Sequence, residues 1–189
     1  MIGVANTIVR GLKAGESDYR GEDVERTEFQ DCDFSDTVFV QAALESVTFT
    51  RCNLGLADFQ HAKLQGVRFV ECKLVGISFM DADPFALQIQ LDACKVVGCL
   101  FGGMRLRKAL LRGCDFQDCS FVGADLSEAD FSRCTFLGSE FNSTNLQKAD
   151  FRGAAGYQIN PLSNNVKRAR FTLPEALSLL GYLGVEISP

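Results

Sequence analysis

Eight cysteines, one histidine and a set of regularly placed aspartates are the side chains of this 189-residue sequence with the most chemical potential. Thiolates and imidazole bind soft and borderline metals, and a thiolate beside a base can act as a nucleophile. Cys94 with Cys99, and Cys114 with Cys119, are close enough in sequence to raise the metal reading. Yet His61 stands alone, and no Ser/His/Asp or Cys/His constellation can be assembled around it. No glycine-rich phosphate loop is present either. We therefore assign no catalytic residue and no metal ligand, and we expect neither a cofactor nor enzymatic turnover.

The positions of the cysteines explain them better than any reaction does. Cys32, Cys52 and Cys72 lie 20 residues apart, as do Cys94, Cys114 and Cys134, while Cys72 and Cys94 are 22 apart. All eight occupy one position of a five-residue pattern in which a large apolar residue recurs from Tyr19 to Phe151. Every phenylalanine except Phe85 and Phe171 falls on that register. A period of five fits neither an amphipathic helix nor a half-buried strand, so it signals a repeat architecture. Two residues before each large one stands a small one, as in Ala57-Asp58-Phe59, Ala129-Asp130-Phe131 and Ala149-Asp150-Phe151.

These blocks resemble the pentapeptide repeat family. The resemblance implies an all-β fold, a right-handed quadrilateral parallel β-helix with one block per side and four blocks per coil. Residues 20 apart then stack at about 4.8 Å. Phe39, Phe59, Phe79, Phe101, Phe121 and Phe141 form one column, and Val24, Leu44, Leu64, Leu106, Leu126 and Leu146 another. Both columns, like the cysteine column, need the same two-residue insertion within residues 80–90, on the side of the aliphatic column. Cysteines five apart fall on adjacent sides of the square, where each serves as a small buried hydrophobe. Aspartates before the large residue, such as Asp58, Asp125, Asp130 and Asp150, point outward and are expected to bond to turn backbone.

The expected organisation is an N-terminal cap over 1–18, a β-helix of about seven coils at 20 residues each over 19–155, and a C-terminal tail over 156–189. In that tail, 157–170 reads as an irregular connector and 171–181 as a short helix. Thr172 and Glu175 match a capping box there. Phe171, Leu173, Leu177, Leu180, Tyr182 and Leu183 are more apolar surface than a cap needs, which points to a homodimer through the C-terminus.

Charge narrows the partner. The formal net charge is −5, and residues 16–36 carry nine acids against Arg20 and Arg26. With no basic stripe, direct nucleic-acid binding is not expected. No stretch is long and apolar enough for a membrane span, and no secretory leader is legible, so the expected compartment is the cytoplasm.

Within its family the chain resembles the branch that protects DNA gyrase and topoisomerase IV. That branch comprises Qnr-type quinolone-resistance proteins and, with a still closer likeness, immunity proteins against a gyrase-poisoning microcin. The likeness rests on the break at Pro84-Phe85, on the blocks Phe116-Gln117-Asp118-Cys119-Ser120-Phe121 and Gly138-Ser139-Glu140-Phe141-Asn142-Ser143-Thr144, and on the tail. The tail segments are Ile159-Asn160-Pro161, Pro174-Glu175-Ala176 and Leu183-Gly184-Val185. It implies a rod-like, partly anionic topoisomerase-binding protein, a partial DNA mimic. Candidate partner-binding residues are Asp18, Asp23, Glu28, Asp33 and Asp58 on the acidic coils and Asp81, Asp83, Pro84 and Phe85 at the break. A second reading stays open, a rigid scaffold for a non-topoisomerase partner. The uncharged face with Val38, Val40, Leu100 and Val122 favours it.

Overall fold

A computed structural model describes residues 6–185. In chain order the strands are β1 (Ile8–Arg10), β2 (Asp23–Glu25), β3 (Glu28–Gln30), β4 (Ala43–Glu45), β5 (Thr48–Thr50), β6 (Lys63–Gln65) and β7 (Val67–Val70). They continue as β8 (Lys73–Val75), β9 (Ile89–Asp92), β10 (Lys95–Val97), β11 (Leu111–Arg112), β12 (Asp115–Gln117) and β13 (Thr135–Leu137). A 3₁₀ turn (Glu175–Leu177) and a one-turn helix α1 (Ser178–Gly181) follow. All strand pairs are parallel, and the chain winds as a right-handed four-sided β-helix. Among the described residues no helix is long and apolar enough to cross a membrane.

The four faces follow from the register. Face one is the sheet β1-β3-β5-β7-β9-β11, continued by the bridges Leu110↔Asp130, Asp130↔Asp150 and Asp150↔Arg170. Face two runs from the bridges of Lys13, Asp33 and Asn53 into β8-β10-β12-β13. Face three is a series of bridges through Asp18, Val38 and Asp58, and then Ser78, Leu100, Ser120 and Glu140. Face four starts as β2-β4-β6 and resumes with Arg105↔Asp125. Except at Phe141↔Ile159, pairing partners are 20 residues apart on either side of the insertion and 22 apart across it, as in Phe49↔Phe69 against Leu74↔Val96.

Each side is short because a side ends every five residues. Two residues after most large residues the backbone turns with positive φ, at glycines and equally at residues such as Asp31, Gln41, Arg51 and His61. The preceding aspartate supports many of these corners. Asp58, Asp125, Asp130 and Asp150 each accept the N–H two residues on, at 2.9–3.1 Å, as the sequence pattern requires.

Inside, the columns are continuous. Phe39, Phe59, Phe79, Phe101, Phe121 and Phe141 form one stack, with successive centroids 4.9–5.8 Å apart and rings within 14° of parallel. The coil spacing sets that separation, and several of the rings also meet rings of neighbouring sides edge-on, as Phe116 and Phe121 do at 5.4 Å and 76°. A buried ring contributes on the order of 1.5–3 kcal/mol against the ordering entropy. All eight cysteines are free and buried. Most of their thiols donate to carbonyls of the coil below, for example Cys52 Sγ to Phe29 O at 3.4 Å and Cys94 Sγ to Phe69 O at 3.3 Å.

The ladder extends past both ends expected for it. At the N-terminus β1 pairs with β3, so residues 8–18 form a coil rather than a cap. Val9 and Leu12 are only partly buried, and no acid-on-five pattern marks the block, which hid it in the sequence. At the C-terminus Asn145↔Asn165 and Asp150↔Arg170 continue the register and Phe171 stacks on Phe151 at 5.2 Å. The period is lost to inspection because Phe141 pairs with Ile159, two residues early, before the 20-residue step returns. Gly156 permits the shortcut: its φ is +73°, and a Cβ there would lie 2.7 Å from Phe136 O. Buried Asn164 stitches the altered coil, donating to Phe141 O and Asn160 O and accepting from Thr144 N. The capping box does not form, since Thr172 Oγ1 is used by the N–H of Gly153 and no side chain caps either helical turn. Residues 1–5 and 186–189 of the two expected caps lie outside the described residues.

Candidate functional site

The insertion is where the regular rod changes character. On face four β6 pairs only with β4. Across the gap to Arg105, the backbone bonds that hold the insertion to β6 and its neighbour are Asp83 N–H to Ala62 O at 2.9 Å and Gln88 N–H to Leu64 O at 2.7 Å. Between them the chain bulges outward through Pro84, Phe85 and Ala86. Asp83 shapes the bulge by accepting the N–H of Phe85 at 2.9 Å, and Asp81 anchors its start by accepting Ser78 Oγ–H at 2.9 Å. Proline suits this corner because it has no N–H to leave unpaired. The result is a phenylalanine with 93% of its surface exposed, beside half-exposed Met80. In a chain whose core rings are nearly all fully buried, Phe85 is the aromatic side chain most available to a partner.

The acidic candidates fall on different sides of the first coils. Asp18 and Asp58 lie on face three, Asp23 on face four, Glu28 on face one and Asp33 on face two. Several already serve the fold. Asp33 accepts from the N–H and hydroxyl of Ser35 and from Asn53, and these bonds hold its carboxyl below the usual aspartate range. Glu28 accepts from Gln30 at 2.7 Å. They form a girdle of charge around one end and do not converge on one point.

At the other end Phe171 is packed over Phe151, while Leu173, Leu177, Leu180, Tyr182 and Leu183 are exposed. Tyr182 lines a hollow with Val122, Asn142 and Gln158, so the tail leans along face three. Beneath the tail, buried Tyr157 has the one fully buried side-chain polar atom without a hydrogen-bond partner among the described residues. Burial pushes that phenol up to about 12. On face three the uncharged stretch runs from Ser78 through Leu100 to Ser120, with Leu100 and Val122 exposed, whereas Val38 stands between Asp18 and Asp58.

The groups that could do chemistry stay apart. Among the described residues no three His, Cys, Asp or Glu side chains gather as a metal site. Burial raises the Cys99 thiol to about 12 and the Cys119 thiol to about 11, so neither is a reactive thiolate at neutral pH. His61 sits at an exposed corner whose N–H donates to Asp81 O. What the sequence did not single out is the floor beside Phe85, made of Met80, Leu87, Gly102 and Gly103. Its signal is the glycine pair after Phe101, where the other coils of that column carry at most one glycine.

Comparison with known proteins agrees with this geometry. A profile described as a pentapeptide repeat region matches residues 22–85, and one described as pentapeptide repeats (8 copies) matches 89–127 and 119–154. The matches part at the bulge. Among solved structures, a trypsin-treated form of QnrB1, a plasmid-mediated fluoroquinolone resistance protein, superposes with a TM-score of 0.69 at 19% identity, covering 98% of this chain and 93% of that one. A second trypsin-treated form gives 0.66 at 19% identity over 97% and 99%. HetL, a pentapeptide repeat protein involved in heterocyst differentiation regulation from the cyanobacterium Nostoc sp. strain PCC 7120, gives 0.35 at 19% identity over 88% of each chain. No curated protein matches in sequence. Five-residue sides, stacked core columns and two profile matches that tile residues 22–154 leave one assignment: the chain belongs to the pentapeptide repeat family.

Proposed function

We propose that this protein binds a type II topoisomerase, DNA gyrase or topoisomerase IV, in the cytoplasm and protects it from a poison such as a quinolone or a peptide antibiotic. It acts by contact, as a rod that occupies part of a surface shaped for duplex DNA, with no catalysis and no nucleic-acid contact of its own. The observation that carries the reading is Phe85, exposed on the bulge where face four loses its ladder. Loops on rigid scaffolds are where recognition concentrates. End-to-end similarity of fold to a fluoroquinolone resistance protein supports it. We further propose that two copies join through Leu173, Leu177, Leu180, Tyr182 and Leu183, which would remove that apolar surface from water. The acidic coils would then lie at the distal tips, so mimicry of DNA would be partial and the bulge would carry much of the specificity.

A second reading, a scaffold for a partner other than a topoisomerase, is favoured by the uncharged stretch of face three at Ser78, Leu100 and Ser120, where Leu100 and Val122 are exposed. A supercoiling assay with purified gyrase separates the two. Relief of quinolone or microcin inhibition, or inhibition of supercoiling by the protein alone, supports the first. Neither effect over a wide range of protein concentrations supports the second.

A further inference from the structure

Beside the bulge, face four has a notch with two contiguous hollows. One, of about 290 Å³, is lined by Met80, Phe85, Leu87, Gly102, Gly103 and Arg105. The other, of about 200 Å³, is lined by Gly66, Leu87, Gln88, Arg105, Arg107 and Lys108. Leu87 and Arg105 border both, so the two hollows run side by side across the face, along the direction in which its strands run. The first is apolar, and Gly103 brings backbone to its surface, with open space within 4 Å beyond its Cα, while Gly102 is buried against Met80 and Val122 O. The second is cationic. Arg107 and Lys108 share the single carboxylate of Glu128, at 2.6 and 3.9 Å, and Arg105 makes no ion pair among the described residues. Asp81 and Asp83, on the bulge, line neither hollow.

The hollows lie in line along the strand direction, and an extended chain presents alternate side chains about 6.6 Å apart on one side. An apolar pocket followed along that line by a cationic one specifies one kind of occupant. We infer that the notch binds an extended acidic peptide segment with a large apolar side chain, seated over Gly103 between Met80 and Phe85, and carboxylates that meet Arg105, Arg107 and Lys108. Duplex DNA would satisfy the cations and leave the apolar hollow unused. The inference does not depend on which protein owns the segment.

The test is a fluorescence anisotropy titration of the intact protein with a labelled peptide of alternating glutamate and leucine carrying one central phenylalanine. A peptide with lysine in place of glutamate and a short duplex DNA serve as comparators, and no topoisomerase is present. The expected result is saturable binding of the glutamate peptide alone, weakened by salt. Arg105→Glu and Phe85→Ser should each weaken it about tenfold or more, and Lys95→Glu on face two should not change it. Should Arg105→Glu fail to melt like the parent, Arg105→Gln gives the same reading with a smaller loss. Equal binding of the lysine peptide, preference for DNA, no saturation, or indifference to both Arg105 and Phe85 substitutions would overturn the inference.

Discussion

At the height of the insertion, faces two and four of the same coil behave in opposite ways. Face two crosses it intact: β8 pairs with β10 in full register although the partners are 22 residues apart. Face four loses its ladder from β6 to Arg105. The two extra residues are absorbed wholly on one side, and the Phe59, Phe79 and Phe101 rings stack past them without a gap. The difference separates two demands on one chain. Columns that fill the square interior hold the rod together, and a local surplus of chain on one face, free of those columns, can be shaped for contact.

The sharpest way to break this comparison is to place the same substitution in both regions. Phe121→Asp puts a carboxylate among Phe101, Phe116, Phe131 and Phe141 with no partner, and should cost more than about 4 kcal/mol, enough to abolish the folded far-ultraviolet signal at ordinary temperature. A melting curve like that of the parent would show that the column is not what stabilises the rod.

The thiols sharpen it next. A thiol in the unfolded chain ionises near pH 8.5, whereas burial holds Cys99 and Cys119 protonated to about 12 and about 11. A raised folded value means the stabilisation is intact below about pH 8.5 and is lost as pH rises from there toward the folded values, at up to about 1.4 kcal/mol per thiol per pH unit. Denaturant melts between pH 8 and 10.5 should fall steeply. Replacing Cys99 and Cys119 by alanine should flatten the slope, and an unchanged slope would count against burial as its cause.

At the break the effects should be small. Shortening residues 81–86 while keeping Ala82 in the core is expected to change stability by about 1 kcal/mol or less, because loop length enters closure entropy only logarithmically. Phe85→Asp should fall within about 0.5 kcal/mol of the parent. A large loss in either case would mean the bulge is part of the core.

Legibility in the sequence divides along the same line. Where the core demands one large residue every fifth position, as at Phe39 to Phe141, residue type alone gave face, column and even the position of the insertion. It failed where partners are weak or the step changes. The first coil uses Val9 and Leu12, and the coil at Ile159 is reached two residues early through Gly156. The capping box at Thr172 failed because a backbone donor one coil below, Gly153 N–H, competes for the same hydroxyl. At the candidate site, Phe85 was legible as a phenylalanine off the register. The hollow beside it was not, since Met80, Leu87, Gly102 and Gly103 meet only once the coils stack.

The measurement that bears most directly on the division between rod and break is gyrase supercoiling under quinolone or microcin with the Phe85→Asp protein, alongside its melting curve. The account predicts a parental melting temperature with protection reduced about tenfold or more in effective concentration. Full protection by a variant that melts like the parent would contradict it.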